Sequence, residues 1–285
     1  MRYEERRPNS GAAKLGVVVA AVLAIAGIAY FMMKEEAPAK LRELPAVEQP
    51  VVIETPKLAE KPAYAEPVAA ARPEPLPALN QSDVAVVAAL QGLNVDGLLQ
   101  MVIPEEILRK FVRALDAVEE GKLINEYRPI VSPKGALLVD SFRATVAGSE
   151  LGTTTEVEQF RMSDKNYKRY DTYASMLVLL DSDAAVATYH RFYPLLSEAY
   201  KEMGLTKGNF HSVLIRAIDN IIAAPEVSGD LNLVRPKVYF EFADPALEKL
   251  PATHKLMLRM GPENASRVKS SMKSLRAKLI QKQAS

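Results

Sequence analysis

The chain has 285 residues, with 36 Lys and Arg against 35 Asp and Glu, and 48% of it is hydrophobic. So even a balance leaves no overall basic face for nucleic acid. Cysteine is absent, which excludes a disulfide framework, a thiolate nucleophile, cysteine metal sites and a lipidated cysteine.

Leu15 to Met33 is an uncharged, mostly apolar run of nineteen residues. At about 1.5 Å per residue it reaches roughly 28 Å, close to the hydrocarbon thickness of a bilayer. It predicts a single-pass transmembrane helix over residues 15–33. Ala24 and Ala26 offer a small-residue pair of the kind found at cleavage sites, but Tyr30, Phe31, Met32 and Met33 carry the apolar run past them. Arg2, Arg6, Arg7 and Lys14 precede the span, and Lys34, Lys40 and Arg42 follow it. With a short leading segment and a large following one, this predicts that residues 1–14 are cytoplasmic and the remainder is exported.

Residues 34–78 hold nine prolines, no glycine and few large apolar residues, with eight Glu against six Lys and Arg. Such a stretch buries too little surface to offset the entropy of ordering it. Local polyproline II geometry and a disordered, solvated spacer are expected.

Residues 79–285 are long enough for one core, and the fold expected is mainly α with a few short strands. Ser82 or Asp83 can cap a helix running to Gly92. Pro104, Glu105 and Glu106 suit the first turn of the next, whose Ile107, Phe111, Leu115 and Val118 keep helical spacing to a stop at Gly121. Short strands are expected at residues 136–139, 142–146 and 155–161. Helices follow near 168–180, 183–203 and 209–223, and again from Ala252 onward. Residues 231–242 alternate weakly, and Pro236 confines any strand there to a sheet edge. Asp244 before Pro245 reads as a cap and first turn.

Four ordered motifs carry a resemblance: Arg169-Tyr170-Asp171-Thr172-Tyr173, the run Arg191 to Tyr200, Phe240 to Pro245, and Leu258 to Ala265. Together they resemble a bacterial family known as domain of unknown function 3014, over most of residues 79–275. Thr172 stands where that family is expected to carry proline. The resemblance implies an amino-terminally anchored envelope protein with no assigned activity, and it brings no catalytic or binding residues; the span and its orientation add the expectation of a bacterial inner-membrane anchor with a periplasmic domain.

Tyr189, Phe192, Tyr193, Leu196 and Tyr200 share one helical face, which reads first as core and second as a tyrosine-lined groove for an extended peptide or glycan. Tyr170, Asp171, Tyr173, Arg191 and Tyr193 are the candidate binding residues, with Asp171 and Arg191 expected to pair as a clamp between helices. Pro194, inside the stripe, should kink or split its helix. His190, His211 and His254 lack metal-ligand spacing, no phosphate loop or nucleophile elbow occurs, and no cofactor or catalytic residue is assigned.

From Glu263 the chain holds six Lys and Arg and one acidic residue. Val268, Met272, Leu275 and Leu279 form an apolar edge, so this is a basic amphipathic helix. Arg267, Lys269, Lys273, Arg276 and Lys278 are its candidate surface for anionic lipid or an acidic partner. The reading these features favour is a tethered, non-enzymatic envelope protein that binds a protein or peptidoglycan partner and no nucleic acid. The alternative is an envelope hydrolase acting on peptidoglycan or a related polymer.

Overall fold

The computed structural model of the chain describes residues 63–67, 75–91, 100–133, 135–147, 154–205 and 208–281. The expected membrane span at 15–33 and most of the proline-rich stretch lie outside the described residues. Among the described residues no helix is long and apolar enough to cross a membrane.

The architecture is mainly helical with a small antiparallel sheet. A 3-10 turn at Leu79–Gln81 leads into α1 (Asp83–Gln91), followed by α2 (Ile107–Glu119). The carboxylate of Asp83 does not cap its own helix. Its Oδ2 and Oδ1 accept from the amides of Glu106 and Ile107 at 2.8 and 2.9 Å, at the start of α2. Glu106 sits at a φ of 52°, so Pro104, Glu105 and Glu106 lie outside the helix that the sequence suggested they open. A carboxylate on two otherwise unpaired amides suits the positive end of the helix dipole, and it ties α1 to α2.

The strand region resolves into two long partners, β1 (Val139–Ala147) and β2 (Thr154–Met162), paired antiparallel from Val139 opposite Met162 to Ala147 opposite Thr154. The expected edge strand at 231–242 is instead two short pieces, β3 (Asn232–Val234) and β4 (Glu241–Phe242), with bends around Pro236. Proline supplies no amide to a ladder, which accounts for the interruption. The sheet order is β1-β2-β3-β4, and β3 reaches β2 only at Phe160 and Arg161.

After β2 come a single turn, α3 (Asp164–Tyr167), a 3-10 turn, and α4 (Asp171–Val178). Next are α5 (Asp183–Glu202) and α6 (Phe210–Ile222), each with a side-chain cap: Ser182 Oγ accepts from Ala185 and Asn209 Oδ1 from Ser212. The helix α5 runs through Pro194 as one element, and so does not split there. Beyond β4, Asp244 caps the short α7 (Pro245–Glu248) as expected, with Oδ1 accepting from the Ala246 amide at 2.8 Å. The long helix expected from Ala252 is two, α8 (Ala252–Arg259) and α9 (Pro262–Gln281), broken where Gly261 takes a φ of 87°.

The main core lies where α2 packs on α5 and α6, and α9 packs on α4 and α6. Phe111 and Phe210 meet edge to face there, 5.7 Å between centroids. The stripe Tyr189, Phe192, Tyr193, Leu196 and Tyr200 is buried in this core, as is the α9 edge Val268, Met272, Leu275 and Leu279. A second cluster, Met162, Leu231, Leu233, Phe242, Leu247 and Leu258, backs the sheet.

Candidate functional site

Three of the four motifs meet where the sheet joins the helices. Asn166, fully buried in α3, donates to the Arg259 carbonyl and accepts from Arg169 Nη1 at 2.7 Å and from the Leu138 amide. Arg169 Nη2 donates to the Gly135 carbonyl at 2.6 Å. Asn264, at the start of α9, donates to Asp171 Oδ1 at 2.9 Å and to the carbonyls of Tyr167 and Met260. The Arg259 guanidinium lies over the Phe242 ring and donates to the Phe240 carbonyl. Each group here satisfies backbone that irregular connections leave unpaired, so the cluster acts as a joint between the two cores.

The candidate binding residues separate across this frame. Tyr170 is fully buried, and Tyr173 is buried with its hydroxyl donating to the Val131 carbonyl at 3.2 Å. Burial raises both phenols, Tyr173 to about 12. Asp171 is exposed and bonds to Asn264, so among the described ion pairs the clamp expected between Asp171 and Arg191 does not form. Asn264, four helices beyond Arg191 on α9, takes that place. Arg191 is half-buried with its guanidinium 5.6 Å from the Phe192 ring. Tyr193 stands instead with Tyr189 and His211.

The basic residues of α9 are largely engaged with the domain. Lys269 is buried and pairs with Glu226 at 2.9 Å, Arg276 pairs with Asp219 at 2.5 Å, and Lys278 pairs with Asp181 and Asp183. Arg267 is exposed and donates to Ser175 Oγ at 3.1 Å, and Lys273 is exposed. A helix whose apolar edge lies in the core presents to a surface only its polar flank.

The built feature that sequence reasoning missed is a seat for the chain's own proline-rich stretch. Residues 63–67 lie against the helical domain with no regular secondary structure. The Tyr64 amide donates to Ser212 Oγ at 2.8 Å, and the Tyr64 carbonyl accepts from Asn209 Nδ2 at 2.8 Å and from Ser212 Oγ at 3.2 Å. The Tyr64 hydroxyl accepts from Arg276 Nη2 at 3.0 Å, its ring is half-buried against the main core, and Pro67 is buried. Both backbone groups of one residue are thus read by side chains of α6 and its cap.

The seat is held by contacts that do not involve the segment. Asn209 Oδ1 caps α6 while Nδ2 reaches Tyr64, and Arg276 grips both carboxylate oxygens of Asp219. Beneath it Tyr189 Oη and His211 Nδ1 are 2.8 Å apart. Burial, with His190 nearby, lowers His211 to about 4, so the ring is neutral at physiological pH. Burial and the negative charge of Glu66 both push the Tyr189 and Tyr193 hydroxyls upward. Four hydrogen bonds at about 1 kcal/mol each, with roughly 2–3 kcal/mol from burying a ring and a proline, about offset ordering five residues at about 1–2 kcal/mol each. So close a balance lets the segment leave the seat at little cost.

Elsewhere, a depression of about 640 Å³ on the β1–β2 hairpin is lined by Ser141, Phe142, Arg143, Glu156 and Glu158. Arg143 and Glu156 pair across it at 3.5 Å with both side chains exposed, an open polar surface. Among the described residues no group of three or more His, Asp or Glu is placed to hold a metal ion.

Residues 107–276 match the family described as protein of unknown function (DUF3014). No curated protein and no solved structure matches the chain. The matched stretch contains α2 through most of α9, with the joint, Asn209, Ser212 and Arg276 inside it and Tyr64 before it. The chain belongs to the DUF3014 family.

Proposed function

We propose that this protein is a non-enzymatic binding module of the bacterial cell envelope, tethered to the inner membrane by residues 15–33, whose helical domain engages a protein partner. The observation that carries the binding part is the seat itself: α6 and α9 hold a non-helical five-residue segment by its backbone as well as by its tyrosine. A surface that meets both the amide and the carbonyl of a bound residue has the chemistry of peptide recognition. The tether part rests on the uncharged run at Leu15–Met33 and the proline-rich stretch after it.

The test is photo-crosslinking in cells expressing the full chain. A crosslinking residue replaces the exposed Lys273, three positions from Arg276 on α9, and a control replaces the exposed Val238 in the β3–β4 bend. A defined adduct from position 273, absent from position 238, is expected. No adduct from position 273, or the same background from both, overturns the reading.

A further inference from the structure

The binding reading above says that the domain holds a partner; the chemistry of the seat, and what already fills it, say more. We infer that the seat formed by Asn209, Ser212 and Arg276 is a recognition site for a tyrosine-containing peptide segment, that Ala63–Pro67 is its resident occupant in cis, and that a partner segment of the same chemistry displaces it. The inference rests on the binding reading and adds to it the ligand class and the regulation.

Three observations carry it. The first is that the contacts select a peptide by features any chain can present. Ser212 Oγ and Asn209 Nδ2 read the amide and carbonyl of one residue, and Arg276 marks that residue as one with a hydroxyl at tyrosine reach. The buried Pro67 three residues on extends the pattern to Tyr-x-x-Pro.

The second is that the seat is preorganised. Two of the three reading groups are fixed by bonds within the domain: Asn209 Oδ1 to the Ser212 amide, and Arg276 to Asp219 through both Nε and Nη2. Release of the segment leaves those bonds standing, so a second ligand finds the donors and acceptors already aimed.

The third is where the resident lies in the chain. The Tyr64 backbone bonds join residues 145 and 148 positions apart, and the Arg276 bond spans 212. An occupant attached through a chain rather than built into a helix or sheet can leave without unfolding an element. Its presence raises the apparent dissociation constant of any competitor by the factor by which it fills the seat.

The experiment uses the full chain in detergent micelles and a fluorescent synthetic peptide with the sequence of residues 61–68. Fluorescence anisotropy is read for the native chain, for Tyr64→Ala, and for Tyr64→Ala with Ser212→Ala. The vacated Tyr64→Ala chain should bind the probe about ten-fold tighter than the native chain, and the added Ser212→Ala should reverse most of that gain. A probe with alanine in place of its tyrosine should not bind. Hydrogen exchange covers the case in which Tyr64→Ala fails to fold: saturating probe added to the native chain should speed exchange of the Tyr64 and Ala65 amides and leave the core of α5 and α6 protected. Equal binding by the alanine probe, no gain on vacating the seat, or unchanged exchange at Tyr64 and Ala65 would overturn the inference. If those results come with a specific adduct from position 273, the segment is a fixed latch and the binding reading stands; if the adduct is missing as well, both fall.

Discussion

Gly261 takes a φ of 87° between α8 and α9, and a Cβ there would lie 2.5 Å from the Tyr167 ring. Strained backbone and a ring held by its neighbours act together, so Gly261→Ala should cost about 2 kcal/mol or more, read as a lower melting temperature. Tyr167 belongs to the joint, where its carbonyl accepts from Asn264. The sequence placed a motif at Leu258–Ala265, but a helix period alone could not show that glycine divides it. His211 offers a second test at this scale. Its folded pKa of about 4 lies below the ordinary 6.5, because burial disfavours the cation. The unfolded chain therefore takes up the proton first as the pH falls. The contribution is complete above about pH 6.5 and is lost between there and about pH 4, on the order of 3 kcal/mol in all. Chemical denaturation followed from pH 7.5 to 4.5 should show that fall, and His211→Asn should flatten it.

At the scale of elements, the crossing of α2 and α6 contains a buried ion pair, Arg216 Nε to Glu119 Oε1 at 2.8 Å. Removing one partner leaves the other's charge in the core without this counter-ion. Glu119→Ala should cost about 3–5 kcal/mol, whereas Glu119→Leu combined with Arg216→Met should recover most of it. Denaturant midpoints of the three chains decide this. Asp83→Ala, which strips α2 of its borrowed cap, should cost about 1–2 kcal/mol in the same assay. Periodicity made most of these helices legible: α2, α5, α6 and the packed edge of α9 fall where apolar spacing put them. What it could not supply were pairings between distant positions. Asp83 reads locally as a cap for its own helix, and only the packing of α1 on α2 turns it to Glu106 and Ile107. Asp171 and Arg191 look like a clamp because they lie on successive helices, yet Asn264 is the nearer neighbour of Asp171 in space. The seat was not legible: the α5 stripe reads first as core, and its burial agrees. The segment binds beside it through Ser212 and Asn209, two polar residues with no pattern to single them out.

For the molecule as a whole, α9 completes the core instead of decorating it. Val268, Met272, Leu275 and Leu279 are each at most 4% exposed, and three basic residues on the same helix pair with Glu226, Asp219, Asp181 and Asp183. Deleting residues 266–285 should therefore abolish the cooperative melting transition of the domain, which circular dichroism on heating will show. An intact transition after that deletion would mean that the helices close on each other without α9. The same arrangement decides how the fold meets a force. Whatever holds the chain ahead of residue 63 pulls first on Tyr64, before any strain reaches the short turn at Leu79. That residue is pinned to Asn209 and Ser212 on one side and to Arg276 on the other, so a tug from the leading end is shared between two helices. A load must part those bonds before it reaches Leu76 and Leu79, which pack on the main core.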